Sequence, residues 1–481
     1  MRTNIRIRYI LIYTFILTIA YFIFCNGCKK LIQIGPPTNS ITTSQVFVDS
    51  FDADAAVAGI YSSMSARGAV SFGSSAITIY CGSSADELLP FNSVGDKDQF
   101  SRNTLKSTNG SVNTYFWTQA YRYIYQANAI IEGLQMSTSI SQSAKNQFTG
   151  EAKFFRALFY FYLTNLFGDV PLLTSTDYRS NSLAVRATQD QVYQLIIDDL
   201  KDAQGLLAGD YSAGNGEKIR ANKWAATALL ARVYLYKKNW ADAEAQATDV
   251  IENAGIFTLV NNLDSVFLAN SSEAILQWQL NTSFSPYNAT TEGYNLVPSS
   301  PTRAPFYYLS SQLLNGFESG DQRRVSWLNT TTYQGKVYYY PYKYKIGPGK
   351  TSANATPTEY YMVLRLAEQY LIRAEARAQQ NTNLNGAISD LNTIRIRASL
   401  PPIANVDQDS VIRAVVQERR IELFAEWGHR WLDLKRTNQA NAILPSISIK
   451  STWQPYQQLY PIPFSEMQAD PNLKQNTGYT N

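Results

Sequence analysis

The sequence predicts a mainly α protein of tetratricopeptide-like helix pairs, interrupted by one irregular, partly β insertion. Three observations predict it. Phe148, Ala152, Phe155, Phe159, Tyr162 and Leu166 step by four, three, four, three and four, so they share one helix face. Ala231, Tyr234 and Ala243 have the spacing of the small and aromatic positions at which tetratricopeptide repeats let two antiparallel helices pack closely. Between Phe257 and Pro357 the helical pattern gives way to Pro, Asn, Ser and Thr with dense Tyr.

The elements follow in order. Residues 1–27 read as a lipoprotein signal peptide. Arg2, Arg6 and Arg8 form a positive start, and Tyr9 to Phe24 is an uncharged apolar run short for a comfortable membrane span. Gly27 is the small residue that a lipoprotein signal peptidase needs before a cysteine, so Cys28 is the expected lipidation site. Cys25 and Asn26 stand where Leu and Ala or Ser are usual. Residues 28–50, with Pro36-Pro37, read as a lipidated tether. Residues 51–256 form an N-terminal helical-repeat part. Its clearest helix stops at Gly168-Asp169-Val170-Pro171, and a second carries Trp224, Ala228, Ala231 and Leu235 behind the N-cap candidate Asn222.

The insertion occupies residues 257–357. From Ser271 to Ser310 its only charges are Glu273, Glu292 and Arg303. From Tyr338 to Lys345 tyrosines recur at even positions, which predicts a strand with one aromatic face, assigned here to structure. Residues 358–481 form a C-terminal helical part packing on the same domain. Helices are expected over Tyr360–Gln379, Gly386–Ala398 and Ser410–Lys435, and four helix pairs in all.

Composition narrows the function. Only 17% of the 481 residues are charged and 32 are tyrosine, a surface suited to neutral polar ligands. Removing the three leader arginines from 42 basic residues leaves 39 against 38 acidic ones. A nucleic-acid binder needs a net basic face, so that class is excluded. One histidine, His429, and one body cysteine, Cys81, point to no metal site and no cofactor. His429 lies beside Arg430 with no nucleophile near it in sequence, and a structural role is expected.

Glu418, Glu422 and Glu426 share a helix face, and paired carboxylates are what a glycoside hydrolase uses. Arg419, Arg420, Arg430 and Lys435 lie in the same stretch, so an ion-pair network is the expected reading, with hydrolysis the alternative. Gly347-Pro348-Gly349-Lys350-Thr351 imitates the end of a phosphate-binding loop, but Tyr344 stands where that loop needs glycine. The better functional residues are aromatics in loop-like contexts, because sugars stack on flat rings while amides and guanidiniums bond their hydroxyls. They are Trp278, Tyr287, Tyr294, Trp327 and Tyr333 in the insertion, near Asn281, Asn288 and Asn295, and Phe91, Asn92 and Arg102 after Asp86-Glu87.

Four ordered blocks carry a resemblance. Gly150-Glu151-Ala152-Lys153-Phe154-Phe155-Arg156-Ala157 runs on to Leu166-Phe167-Gly168-Asp169-Val170-Pro171. Leu364-Arg365-Leu366-Ala367-Glu368 leads to Arg373-Ala374-Glu375-Ala376 and Leu391-Asn392-Thr393-Ile394-Arg395. Glu418-Arg419-Arg420-Ile421-Glu422-Leu423 leads to Gly428-His429-Arg430-Trp431-Leu432-Asp433-Leu434. Tyr460-Pro461-Ile462-Pro463 precedes Asn472-Leu473-Lys474-Gln475-Asn476. In order and spacing the chain resembles the SusD/RagB family over essentially its whole mature length. The resemblance implies a non-enzymatic, cell-surface outer-membrane lipoprotein. It would bind oligosaccharide, or in some members peptide, and deliver it to a TonB-dependent, SusC-like transporter that it covers as a lid. Lys29 and Lys30 depart from the acidic residues that often follow the lipidated cysteine of such surface proteins.

Overall fold

The helices form where the apolar period and the capping residues predict them. The computed structural model describes residues 2–25, 46–65, 70–404 and 407–480. Met1–Val46 and Phe47–Asn481 are separate units, the first containing helix α1 (Arg2–Cys25). Cys28 and most of the expected tether lie outside the described residues. Among those described, no helix is long and apolar enough to cross a membrane.

In the second unit α2 (Ser50–Met64) and α3 (Gly95–Arg102) precede the repeats. The repeat helices are α4 (Gln119–Met136), α5 (Gln142–Phe167), α6 (Gln189–Leu206), α7 (Lys223–Tyr236) and α8 (Trp240–Ile251). After the insertion come α9 (Leu366–Gln380), α10 (Leu384–Arg397) and α11 (Gln408–Glu422), followed by α12 (His429–Arg436). Side-chain oxygens start these helices by accepting orphan backbone N–H groups. Ser141 caps α5, Asn222 caps α7, Asp407 caps α11, and Thr188 with Gln191 forms a capping box on α6.

Each repeat helix packs on its predecessor from α4 to α11, giving four successive pairs. Small residues permit the close approach. Ala367, Ala374, Ala378 and Ala387 interleave with Leu371, Leu391, Ile394, Val411 and Val415 in one dry cluster. The chain leaves this solenoid after α8 and re-enters at α9, which packs directly on α8. The neck of the excursion is closed by β4 (Ala274–Trp278) and β8 (Tyr361–Arg365), antiparallel and buried along their whole length.

The other sheets are small. β1 (Leu88–Pro90) pairs with β5 (Tyr307–Leu309), β2 (Val170–Pro171) with β3 (Arg186–Ala187), and β6 (Leu328–Tyr333) with β7 (Lys336–Pro341).

Three boundaries differ from expectation. The helix expected from Tyr360 begins at Leu366, because Tyr361–Arg365 is consumed as β8. The helix expected over Ser410–Lys435 is two, α11 and α12. Ala425, Trp427 and Gly428 turn left-handed between them, and a Cβ on Gly428 would come within 2.7 Å of the Cys81 Cβ, so only glycine fits. The aromatic strand expected over Tyr338–Lys345 is shorter and earlier, and Tyr344 is buried beyond its end.

Candidate functional site

The loop after Asp86-Glu87 is anchored from below. Arg430 of α12 grips the buried Asp86 carboxylate through Nε at 2.7 Å and a second nitrogen at 3.0 Å, and Arg420 of α11 adds a third contact at 2.9 Å. Burial alone raises the Asp86 pKa, but the two guanidiniums outweigh it and hold the carboxyl below its ordinary range. The chain then enters β1, where Leu88 faces Leu309 and Pro90 faces Tyr307, and the Phe91 N–H donates to the Phe306 carbonyl at 2.9 Å.

β5 packs in turn against the β6–β7 hairpin. Gln334 and Gly335, both at positive φ, close that hairpin as a two-residue turn, so Tyr333 pairs with Lys336 and Thr331 with Tyr338. The alternation puts Tyr333, Thr331, Lys336 and Tyr338 on one face.

Three segments distant in sequence thus deliver their rings to one place. Phe91 meets Tyr333 edge-on at 5.6 Å and Tyr338 at 5.5 Å, and Tyr338 meets Tyr308 at 5.2 Å. None of the four is fully buried, and Phe306 beside them is 58% exposed. The result is an open aromatic platform. Its polar edge carries exposed Asn92 and Ser93, and the Ser93 hydroxyl donates to the Asp98 carboxylate. Arg102 Nε donates to the two oxygens of the same carboxylate at 2.9 and 3.0 Å, which ties it to this loop. Lys336 Nζ stands 5.0 Å over the Tyr338 ring. Flat rings beside amide, hydroxyl and guanidinium groups are a surface for stacking a sugar and bonding its hydroxyls.

Of the residues expected from sequence, Phe91, Asn92 and Tyr333 meet here, and Arg102 joins through Asp98. Tyr308, Phe306 and Tyr338 were missed, Tyr338 because its strand was assigned wholly to structure. The Gln-Gly hairpin turn was the available signal, since it fixes which residues face Tyr333.

Two expectations are corrected. Trp278 is 1% exposed, its ring packed on Tyr61 and Phe155. Trp327 is 0% exposed and donates its indole N–H to the Leu263 carbonyl at 2.9 Å, between Phe267 and Phe424. Both indoles fill the junction between insertion and helices and present no face to a ligand. Tyr287 and Tyr294 are partly exposed but have no ring partner among the described residues, and neither joins the platform.

The glutamates of α11 and their neighbours are buried. Arg365 reaches Glu273 at 2.9 Å, Glu422 at 2.6 Å and Glu426 at 2.8 Å, while Arg323 binds Asp321, Glu418 and Glu422, and Arg397 binds Glu273 and Glu422. Burial opposes the charge on Glu422, but the surrounding Arg397, Arg365 and Arg323 drive its pKa well below the usual range. A carboxylate held ionised and sealed from solvent neither donates a proton nor meets a sugar. His429 is pushed down to about 4, chiefly by burial, against the pull of Glu368. Gly347–Thr351 is a loop with one turn of 3₁₀ helix over Pro348–Lys350.

Two cavities of about 760 and 740 Å³ lie among the helices, away from the platform. In the first, Arg186 bonds the Asp169 and Lys474 carbonyls and the Asn476 amide, and Lys237 pairs with Asp190.

Comparison with known proteins converges on one family. A family model described as "SusD family" matches residues 207–479, and another described as "Starch-binding associating with outer membrane" matches residues 40–235. A SusD-like protein of Formosa agariphila is 25% identical over 543 aligned residues, spanning 98% of this chain and 100% of that one. A SusD superfamily structure from Bacteroides vulgatus matches with TM-score 0.79 at 22% identity, covering 90% of this chain and 99% of its own. A laminarin-binding SusD-like protein matches with TM-score 0.74 at 24% identity, covering 89% of this chain and 99% of its own.

Proposed function

The chain belongs to the SusD family, and we propose that it is a non-enzymatic outer-membrane lipoprotein that captures oligosaccharide nutrient on the Phe91–Tyr308–Tyr333–Tyr338 platform and passes it to a TonB-dependent, SusC-like transporter. The observation that carries this reading is the platform itself. Four rings from three distant segments are gathered at the surface, where their packing stabilises the fold less than it would in the core. The carbohydrate binding named for relatives fits that surface.

The carboxylates support binding without turnover. Those of α11 are spent on buried arginines, and Asp98 at the platform edge is held by Arg102. Capture by stacking and release as the lid opens needs no proton transfer. Cys28 supplies the lipid anchor, and the helical solenoid supplies the rigid body that seats on the transporter.

The test is calorimetric titration of residues 47–481, which form one compact unit, with oligosaccharides and peptides, while product is followed by chromatography. Binding of a glycan without product, lost in Tyr338→Ala, supports the reading. Binding of peptides alone moves the cargo to that class, and product formation overturns the non-enzymatic function.

A further inference from the structure

Taking the platform as the glycan site, we propose that its ligand is an acidic oligosaccharide, one whose sugars carry carboxylate or sulfate groups. Overall composition suggests neutral ligands, but the placement of charge in the insertion does not. Residues 257–357 contain five acidic side chains, and every one is ion-paired or buried. Asp264 pairs with Lys345 at 2.9 Å, Glu318 with Arg395 at 2.6 Å and Asp321 with Arg323 at 2.8 Å. Glu273 is buried against Arg365 and Arg397, and Glu292 is buried where it accepts from the Ser75 N–H.

The basic side chains of the same segment divide differently. Arg323, Lys343 and Lys345 are used in ion pairs, whereas Arg303, Arg324, Lys336 and Lys350 form none among the described residues. Arg324 and Lys350 are occupied by other groups, Arg324 by the Leu314 carbonyl and the Tyr339 ring, Lys350 by the Tyr342 hydroxyl and the Lys345 carbonyl. The side chains of Arg303 and Lys336 make no hydrogen bond or ion pair among the described residues. Lys336 holds its ammonium over the Tyr338 ring. The Arg303 carbonyl accepts from the Thr331 hydroxyl at 2.7 Å, and Thr331 pairs with Tyr338, so this exposed guanidinium also starts from the platform's edge.

On the opposite edge the Asp98 carboxylate is neutralised by Arg102. Isolated surface cations are common and usually only solvated. Here every carboxylate of the segment is ion-paired or buried, which leaves Lys336 and Arg303 to set a positive field over partly exposed rings. Such a field draws and orients an anionic ligand and gives a neutral one nothing. A carboxylate or sulfate on a sugar stacked at Phe91 and Tyr338 would lie near the Lys336 ammonium, with Arg303 joined to the same hairpin through Thr331.

The test uses the full chain in detergent, in affinity electrophoresis and then calorimetry. The probes are polygalacturonate against its fully methyl-esterified form, and sulfated galactan against its desulfated form. The expected result is binding of an acidic polymer at least about tenfold tighter than of its neutral counterpart. That binding should weaken by about tenfold in Arg303→Gln/Lys336→Gln and again as salt rises to about 0.5 M, where screening acts within a few ångströms. Both substitutions are at exposed positions, and an unchanged melting curve confirms the fold. Equal binding of the paired polymers, an unaffected double variant, or silence toward every acidic polymer overturns the proposal. If a neutral polymer binds and only Tyr338→Ala abolishes it, the platform stands and the acidic ligand falls. If an acidic polymer binds and Phe91→Ala and Tyr338→Ala leave it untouched, the platform reading itself has failed.

Discussion

Replacing Glu422 with Gln separates the structural from the catalytic reading of the α11 glutamates. Its side chain is 0% exposed and accepts from Arg365 at 2.6 Å, from Arg323 at 3.0 Å and from Arg397. Glutamine keeps the shape, removes the charge, and turns an amide N–H₂ toward one of the guanidiniums. A unit charge lost about 4 Å from a cation is worth up to about 4 kcal/mol at the effective dielectric of a protein. Each arginine keeps a second carboxylate, however: Glu273 for Arg397, Glu273 and Glu426 for Arg365, Asp321 and Glu418 for Arg323. The expected loss is therefore about 3 to 5 kcal/mol, the cost of breaking a buried pair, and not the sum of three. Urea unfolding followed by tryptophan fluorescence measures it. The pH dependence adds a second constraint. The folded-state pKa of Glu422 is depressed below the 4.5 of a free glutamate, so its contribution is fully present above pH 4.5 and lost as pH falls through the folded value. The gap between wild type and variant should thus be constant near neutrality and narrow in acid. A variant as stable as wild type, or one that is stable but has lost a glycan-cleaving activity of the wild type, refutes the reasoning.

Trp327→Ala should cost about 3 to 5 kcal/mol in the same unfolding assay while the folded fraction keeps its ligand affinity, because the indole fills the core under the insertion. Tyr338→Ala should weaken glycan binding by roughly tenfold in calorimetry through lost stacking area, and should cost the fold less than Trp327→Ala, about 2 kcal/mol for two edge-to-face contacts of about 1 kcal/mol each. Glu87 is buried with Oε1 unpaired, and burial, then Asp86, raises its pKa to about 8. The neutral form is favoured on folding, so its stabilising share is present below pH 4.5 and lost as pH rises through about 8. Glu87→Gln should flatten stability across that window and exceed wild type at pH 8 by a few kcal/mol in urea titrations.

The helical frame was legible because a 3.6-residue period needs no knowledge of distant partners. The apolar face of α5, its stop at Gly168 and the Asn222 cap of α7 are local facts of the sequence. Boundaries failed where distant partners decided. Tyr361–Arg365 would extend α9 by its apolar character, but β4 claims its backbone hydrogen bonds. The tryptophans misled for a related reason. An indole needs a single acceptor, and the Leu263 carbonyl suffices to bury Trp327 inside what composition marks as a loop. Tyr338 was invisible in the other direction. Alternation gives the face on which it lies, but not that Phe91 and Tyr308 cover that face.

The platform also explains why so much charge is buried elsewhere. β1 and β5 have three residues each, and sheets so small are marginal without support. The support comes from Asp86, just before β1, gripped by Arg430 and Arg420 and continued through the Ser310 N–H, which donates to the Glu87 carbonyl at 2.8 Å. Insertion and solenoid meet through the same kind of contact, at Arg323–Glu418, Lys343–Glu426 and Arg395–Glu318. An apolar interface would hold these parts as firmly but would tolerate sliding. Two of these pairs, Arg430–Asp86 and Arg395–Glu318, are bidentate guanidinium–carboxylate contacts, which fix distance and angle together. The proposed binding surface, assembled from three chain segments, needs that registration, because Phe91 and Tyr338 would stack a common ligand only while the segments carrying them keep one relative position.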